Sequence, residues 1–393
     1  MSTGLKRKEV NKKKRIIDRE YIVLVTKEHY NPLGIVRTLG EAGIRPVVVA
    51  VKGDLKFVGQ SKYVKERYYV DSTKEGIKLI YKKFAKNKKR KSFILTGDDV
   101  TVAMLDKYYD KLRDYFYFYN AGATGRISHY MNKDVMMELV TKHGIQVAKT
   151  WKVNVGEIPE DIVYPIMTKA INSIGAEWKD IVYICHNDAE LKNAFGQMKS
   201  KQILVQQYIE KVDEISFDAF SVNRGKDVFV VMEANQVYNI PDKYSPYWMI
   251  KNSRNKDMQA KIAKVIEEIG LEGIFEFEFM KDKEGNLWFL EINFRNTALG
   301  YATTVAGMPQ VIYWCESMRK GFIDKKKYYK KIPKGLTAMA ECFDYDARVK
   351  TGLISKKEWR KQFDSAECKL YKGRNDNIPF YLFMWYKLTK MKH

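Results

Sequence analysis

The sequence is sparing with several residue types. Its 393 residues include four cysteines, five histidines and nine prolines. Cys185, Cys315, Cys342 and Cys368 lie far apart with no C-x-x-C spacing, and the histidines show no metal-ligand spacing. These features exclude a zinc module and a disulfide scaffold, and they fit reduced thiols in a cytoplasmic protein. No apolar run approaches the roughly 18–20 residues that span a bilayer. The basic N-terminus is not followed by the apolar segment of a secretory signal. No Ser/His/Asp or Cys/His constellation is present, and no G-x-G-x-x-G follows the first strand-like run. Acidic charge is also short: 48 Asp and Glu against 70 Lys and Arg leave a net charge of +22.

What is present suffices for folded domains. Hydrophobic residues make up 45 %, which excludes wholesale disorder. The positive charge sits mostly at the ends, with a net +5 over residues 1–20 and +11 over residues 316–393. Basic ends suit an anionic polymer or a membrane surface, or are simply solvated lysines. From Tyr21 the order is strand (YIVLVT), turn (HYNPLG), helix ending at Gly43 and strand (RPVVVAV). Helices at about 74–88 and 99–113 and strands SFILTG and YFYFYN continue this alternation, which predicts an α/β domain with a parallel sheet. A helix over about 128–145 precedes a run of short strands interrupted by helices at about 187–198 and 255–269, which predicts an α+β segment. From about residue 321 the chain reads as lysine-rich and irregular.

The most informative segment is GIFEFEFMKDKEGNLWFLEINFRN, residues 273–296. It reads as two strands around a turn centred on Glu284-Gly285. In that register Glu278 faces Glu291 and Glu276 faces Asn293. One face carries Phe275, Phe277, Phe279, Trp288, Leu290, Ile292 and Phe294; the other carries Glu276, Glu278, Glu291, Asn293 and Arg295. Cross-strand carboxylates repel at about 4.5–5.5 Å. They persist either because a cation joins them or because the face is solvated. Oxygen ligands at close range suit Mg²⁺.

The hairpin, ending in EINFRN, resembles the metal-binding strands of the ATP-grasp superfamily. Other motifs follow in the order of that family: MNKD at 131–134, YPIMTKAI at 164–171, NSIGAE at 172–177 and ILVQQYIE at 203–210. The resemblance runs from about residue 21 to 320. It implies a Rossmann-like N-terminal α/β domain over 21–125 after a basic tail at 1–20. It also implies a first ATP-grasp lobe over 126–205, a second lobe with the metal site over 206–320 and a basic C-terminal extension over 321–393. The implied cofactors are ATP and Mg²⁺. Glu278, Glu291 and Asn293 would hold the metal, and Lys133 and Lys169 the phosphates. Ser173 and Gly175 would lie in a loop over the phosphates, Gln207 C=O and Ile209 N–H would bind adenine, and Glu214 the ribose. Glu276 departs from the family pattern and reads as a ligand, an acid standing behind the ligands or a bystander. Phe294 departs too, where the family often has proline.

The resemblance further implies an enzyme that activates a carboxylate as an acyl phosphate and joins it to an amine, with Arg295 and Lys169 assisting phosphoryl transfer. Within the superfamily the layout looks most like ligases related to D-aspartate ligase, on NPLGIVRTLGEAGI, GDD at 97–99 and EINFRNTALGYATTVAGMPQ. Such ligases add an amino acid to cell-wall precursors, capsular polymers or small peptides. Arg37 and Asp98 are the candidates for contact with substrate. Two other readings stand beside it: a small-molecule kinase of the same superfamily, and a basic surface- or nucleic-acid-binding protein with an inactive ATP site. RNA-binding signatures are not evident. The last segment, PFYLFMWYKLTKMKH, reads as core-completing aromatics or as a membrane-surface segment, and Pro379 argues against a helix there.

Overall fold

The computed structural model describes residues 19–86, 88–169, 182–198, 200–239 and 245–390. The first sheet joins β1 (Tyr21–Val25), β2 (Val47–Val51), β3 (Glu66–Val70), β4 (Ser92–Leu95) and β5 (Phe116–Tyr117). Their order is β3-β2-β1-β4-β5, with every pair parallel. All five residues of β1 are buried, as expected for a central strand covered by helices on both faces. Helices Tyr30–Glu41, Thr73–Phe84 and Asp99–Lys107 make the crossovers. The second of these stops before the expected residue 88, and the third breaks at Tyr108 before a short turn of helix at Tyr109–Leu112.

The single helix expected over 128–145 is two helices, Arg126–Tyr130 and Lys133–Lys142. Asn132 divides them, because its side chain accepts the backbone N–H groups of Asp134 and Val135 and so starts a new helix. Two short strands follow, β6 (Gln146–Val147) and β7 (Thr150–Asn154). A small antiparallel sheet then forms from β7, β8 (Ile166–Lys169), β9 (Ile184–Cys185) and β10 (Gln202–Gln207), in the order β7-β10-β8-β9. Its core is Val153, Ile166, Leu191, Phe195, Ile203 and Val205.

The large sheet adds β11 (Asp213–Val222), β12 (Asp227–Gln236), β13 (Tyr247–Lys251), β14 (Ile274–Lys281), β15 (Leu287–Asn293), β16 (Thr337–Met339) and β17 (Cys368–Lys369). The order is β17-β16-β13-β12-β11-β14-β15-β6. This corrects two expectations. Residues 126–147, expected in the first lobe, belong to the large unit, since β6 pairs with β15 and Met136, Leu139 and Val140 pack in its core. Residues 321–390 are not an irregular extension. β16 and β17 extend the sheet, and the segment also forms helices Glu341–Arg348, Lys356–Ser365 and Ile378–Lys390. Pro379 sits in the first turn of the last helix, where its missing N–H costs nothing.

All four cysteines are free and buried. No helix among the described residues is long and apolar enough to cross a membrane.

Candidate active site

The β14–β15 hairpin pairs Glu276 with Asn293, Phe277 with Ile292 and Glu278 with Glu291, as the sequence predicts. Nearer the turn the register shifts by one residue, and Phe279 faces Phe289, not Leu290. A bulge absorbs the difference. The turn itself closes on Asp282, which accepts from Asn286 N (2.8 Å), Asn286 Nδ2 (2.9 Å) and Trp288 Nε1 (2.8 Å). The expected apolar face is therefore corrected. Phe289 packs against Phe277 and Phe279, while Leu290 is 42 % exposed.

The polar face gathers more acids than the hairpin alone supplies. On β11, Ser216 lies opposite Glu278 and Asp218 opposite Glu276. Glu214 is on the same face, two residues before Ser216. Burial, together with the neighbouring carboxylates, lifts Asp218 to about 7, Glu276 to about 8 and Glu278 well above the ordinary carboxylate range. Asn293 Nδ2 stands among them, donating to Glu278 Oε1 (2.9 Å), Glu276 Oε2 (3.3 Å) and Glu291 Oε1 (3.3 Å). It supplies the positive end that a cation would otherwise supply. Asp218 Oδ2 and Ser216 Oγ are buried without a hydrogen-bond partner.

An all-oxygen donor set short of positive charge fits Mg²⁺. No three His, Cys, Asp or Glu side chains among the described residues are set to chelate an ion by themselves. Mg²⁺ is usually held by one or two carboxylates plus substrate phosphates.

The cleft beside these acids is open to solvent and has a cavity volume of about 180 Å³. Its floor is Glu214, Ser216, Glu276, Glu278, Glu291 and Asn293. Its other wall comes from the N-terminal domain, where the turn HYNPLG brings His29, Tyr30 and Asn31. Burial drives the His29 imidazole down to about 4, so it is neutral at ordinary pH. Arg295 bridges the two walls. Its Nε pairs with Asp99 Oδ1 at 2.9 Å and its Nη2 donates to Asn293 Oδ1 at 2.8 Å. The GDD motif thus meets the cleft through Asp99. Asp98 instead caps helix Asp99–Lys107, accepting from Thr101 N at 2.7 Å and Thr26 N at 3.2 Å.

Other expected residues lie around this centre. Glu214 accepts from Lys211 Nζ and from Gln236 Nε2 (2.6 Å). Lys169 ends β8, half-buried, with Nζ donating to Gln206 Oε1 at 2.6 Å. Desolvation first, and then the charge of Lys133, lowers its pKa. Among the described residues neither lysine has an acidic partner, and the charge of Lys133 is felt at Lys169. Lys133 is the first residue of its helix. Gln207 ends β10, and its N–H donates to Lys149 O at 2.8 Å. Ile209 is buried, and its N–H has no partner among the described residues. Ser173 and Gly175 lie outside the described residues. Arg37 is not at the cleft. It is fully buried, ion-paired to Asp376 and bonded to the carbonyls of Leu370, Tyr371 and Asp376.

Sequence reasoning missed Asp218 and the His29–Asn31 wall. For Asp218 a signal existed, since the alternation in EISFDAF puts it on the face of Glu214. The wall depends on how the two domains meet, and no local pattern reports that.

Residues 126–313 match the family model described as carbamoyl-phosphate synthase L chain, ATP binding domain. The chain carries an ATP-grasp domain. A curated relative, the 2-oxoglutarate carboxylase small subunit of Hydrogenobacter thermophilus, is 26 % identical over 149 residues, 35 % of this chain. The match spans about a third of that relative's length, 31 %. Among solved structures, N5-carboxyaminoimidazole synthetase from Staphylococcus aureus has a TM-score of 0.62 at 14 % identity, covering 86 % of this chain and 87 % of that one. L-amino acid ligase from Bacillus licheniformis has a TM-score of 0.58 at 13 % identity, covering 81 % and 79 %. At those identities the likeness is one of fold. The ATP-grasp domain contains the acid cluster, both lysines and the segment at 207–209, while the His29–Asn31 wall lies outside it.

Proposed function

We propose that the chain is a Mg²⁺·ATP-dependent ligase that joins a carboxylic acid to an amine through an acyl phosphate. The observation that carries this reading is the cluster of buried carboxylates, short of positive charge, that lines the cleft on the large sheet. Lys169 at the end of β8 and Lys133 at the start of its helix have no acidic partner among the described residues. A magnesium triphosphate would supply what each group lacks. Fold neighbours that include an amino acid ligase and a carboxyaminoimidazole synthetase favour ligation over other uses of ATP.

Glu278, Glu291 and Asn293 would hold the metal. When bound, Mg²⁺ draws charge off the phosphate oxygens and lowers the cost of phosphoryl transfer. Lys169 and Lys133 would neutralise the phosphate chain as point charges. The half-buried position of Lys169 makes its ammonium cheap to pair and costly to leave alone. Gln207 and Ile209 would present main-chain groups to adenine, and Glu214 an acceptor to the ribose hydroxyls. Arg295, steered by Asp99 and Asn293, would meet the transferring phosphoryl group and the oxyanion formed when the amine attacks the acyl carbon. Glu276 and Asp218 stand behind the ligands and hold protons that a bound cation would displace.

The test is an ADP-release screen of amino acids against carboxylic acids, with products read by mass spectrometry. ADP release that requires both an acid and an amine, with a coupled product, supports the ligase. ADP release with a phosphorylated product and no amine requirement supports a kinase instead. Absence of ATP binding overturns both.

A further inference from the structure

The last helix, Ile378–Lys390, has two apolar faces. The inner one is committed. Phe380, Leu382, Phe383 and Met384 pack against the main core, with Phe383 stacked on Tyr371 at 4.1 Å and edge-on to Phe57 at 5.8 Å. Lys387 ties the same side to Asp346. These contacts fix the rotation of the helix about its axis. The outer face then presents Ile378, Tyr381, Trp385 and Leu388, each between 53 % and 66 % exposed. They are spaced three, four and three residues apart, so they form one stripe, about 15 Å long at 1.5 Å per residue. Core packing does not account for a stripe of four large apolar side chains held rigidly outward.

We propose that this stripe docks the protein on an anionic lipid surface, lying in the headgroup layer without crossing it. The chemistry of the stripe and its charge select that occupant. Tyrosine and tryptophan combine an apolar body with a polar tip and settle at the boundary between headgroups and acyl chains. From Asn377 to His393 there is no aspartate or glutamate, and beyond Lys387, which is paired with Asp346, the sequence adds Lys390 and Lys392. Asp376, the last acid of the chain, is buried and paired with Arg37. Residues 316–393 as a whole carry a net +11. An apolar stripe on a strongly basic segment complements a negatively charged membrane, and each lysine near such a surface adds to the attraction. The helix is too short to span a bilayer. None of the four stripe residues lines the nucleotide cleft.

The experiment uses the full chain and sedimentation with vesicles of phosphatidylcholine alone or mixed with phosphatidylglycerol, at low and high salt. The comparison protein carries Tyr381→Ser, Trp385→Ser and Leu388→Ser, all at exposed positions, and circular dichroism and urea unfolding check that its fold is intact. The expected result is binding to the anionic vesicles only, release by salt and at least about tenfold weaker partition of the variant. Equal partition of the two proteins overturns the proposal. So does a wild-type chain that ignores vesicles and forms a dimer that the variant cannot form, since that result assigns the stripe to a second copy.

Discussion

Replacing Arg37 by methionine separates a structural role from a substrate role. The guanidinium is fully buried and makes four bonds: to Asp376 Oδ2 at 3.3 Å and to the carbonyls of Leu370 (2.8 Å), Tyr371 (2.7 Å) and Asp376 (2.8 Å). Helix Tyr30–Glu41 is thereby stitched to the segment between β17 and the last helix. Methionine keeps most of the volume, so the loss is electrostatic. Breaking a buried pair by removing one partner costs about 3–5 kcal/mol, because the other charge is left uncompensated. Three carbonyls lose a donor as well, each costing about 1–3 kcal/mol unless water reaches it. We expect Arg37→Met to lose at least about 4 kcal/mol in urea unfolding followed by tryptophan fluorescence. Adding Asp376→Asn should recover part of that, since the stranded charge goes. KM for ATP and for the acid should stay at wild-type values where the variant is folded. A variant of wild-type stability that fails to bind substrate would refute the reasoning and return Arg37 to the substrate site.

Other outcomes follow from the same geometry. Phe289→Ala should cost about 3–5 kcal/mol and Leu290→Ala under about 1, because the bulge puts only the former in the core; equal costs would contradict the register. Lys169→Met should weaken ATP binding at least about tenfold by calorimetry through loss of a desolvated cation, and unchanged affinity would contradict the phosphate role. The pH dependence has a definite sign. Asp218 and Glu276 hold protons in the folded chain up to about 7 and about 8, but in the unfolded chain only to the ordinary carboxylate range. Their contribution to stability is therefore full at acid pH and is lost as pH rises through those values. Mg²⁺·ADP takes the place of those protons, so the thermal shift it causes should grow from about pH 6 to about pH 9. A shift independent of pH would contradict this.

The hairpin was legible in the sequence because phenylalanines and glutamates alternate strictly through residues 275–279 and the turn signal is strong. The bulge was not, since shifting one residue changes no local propensity. It falls between Glu278 and Phe279 and shows only in three dimensions. The βα order of the first domain was readable from fully apolar strands. β3, ERYYV, was missed because only Val70 of its five residues is buried. Residues 321–390 were misread for a similar reason. Their strands are three and two residues long and gain order from pairing, β16 with β13 and β17 with β16, not from their own pattern. Arg37 reads as a substrate contact only through the family resemblance of NPLGIVRTLGEAGI, and its partner Asp376 lies 339 residues away.

The most direct test of the central claim is the Mg²⁺ dependence of ATP binding, measured by calorimetry on the wild type and on Glu291→Ala. The account predicts tight binding of Mg²⁺·ATP by the wild type, much weaker binding of ATP in EDTA, and loss of the metal-dependent gain in the variant with its fold intact. Equal affinity with and without Mg²⁺, or a variant that keeps the full gain, would contradict it.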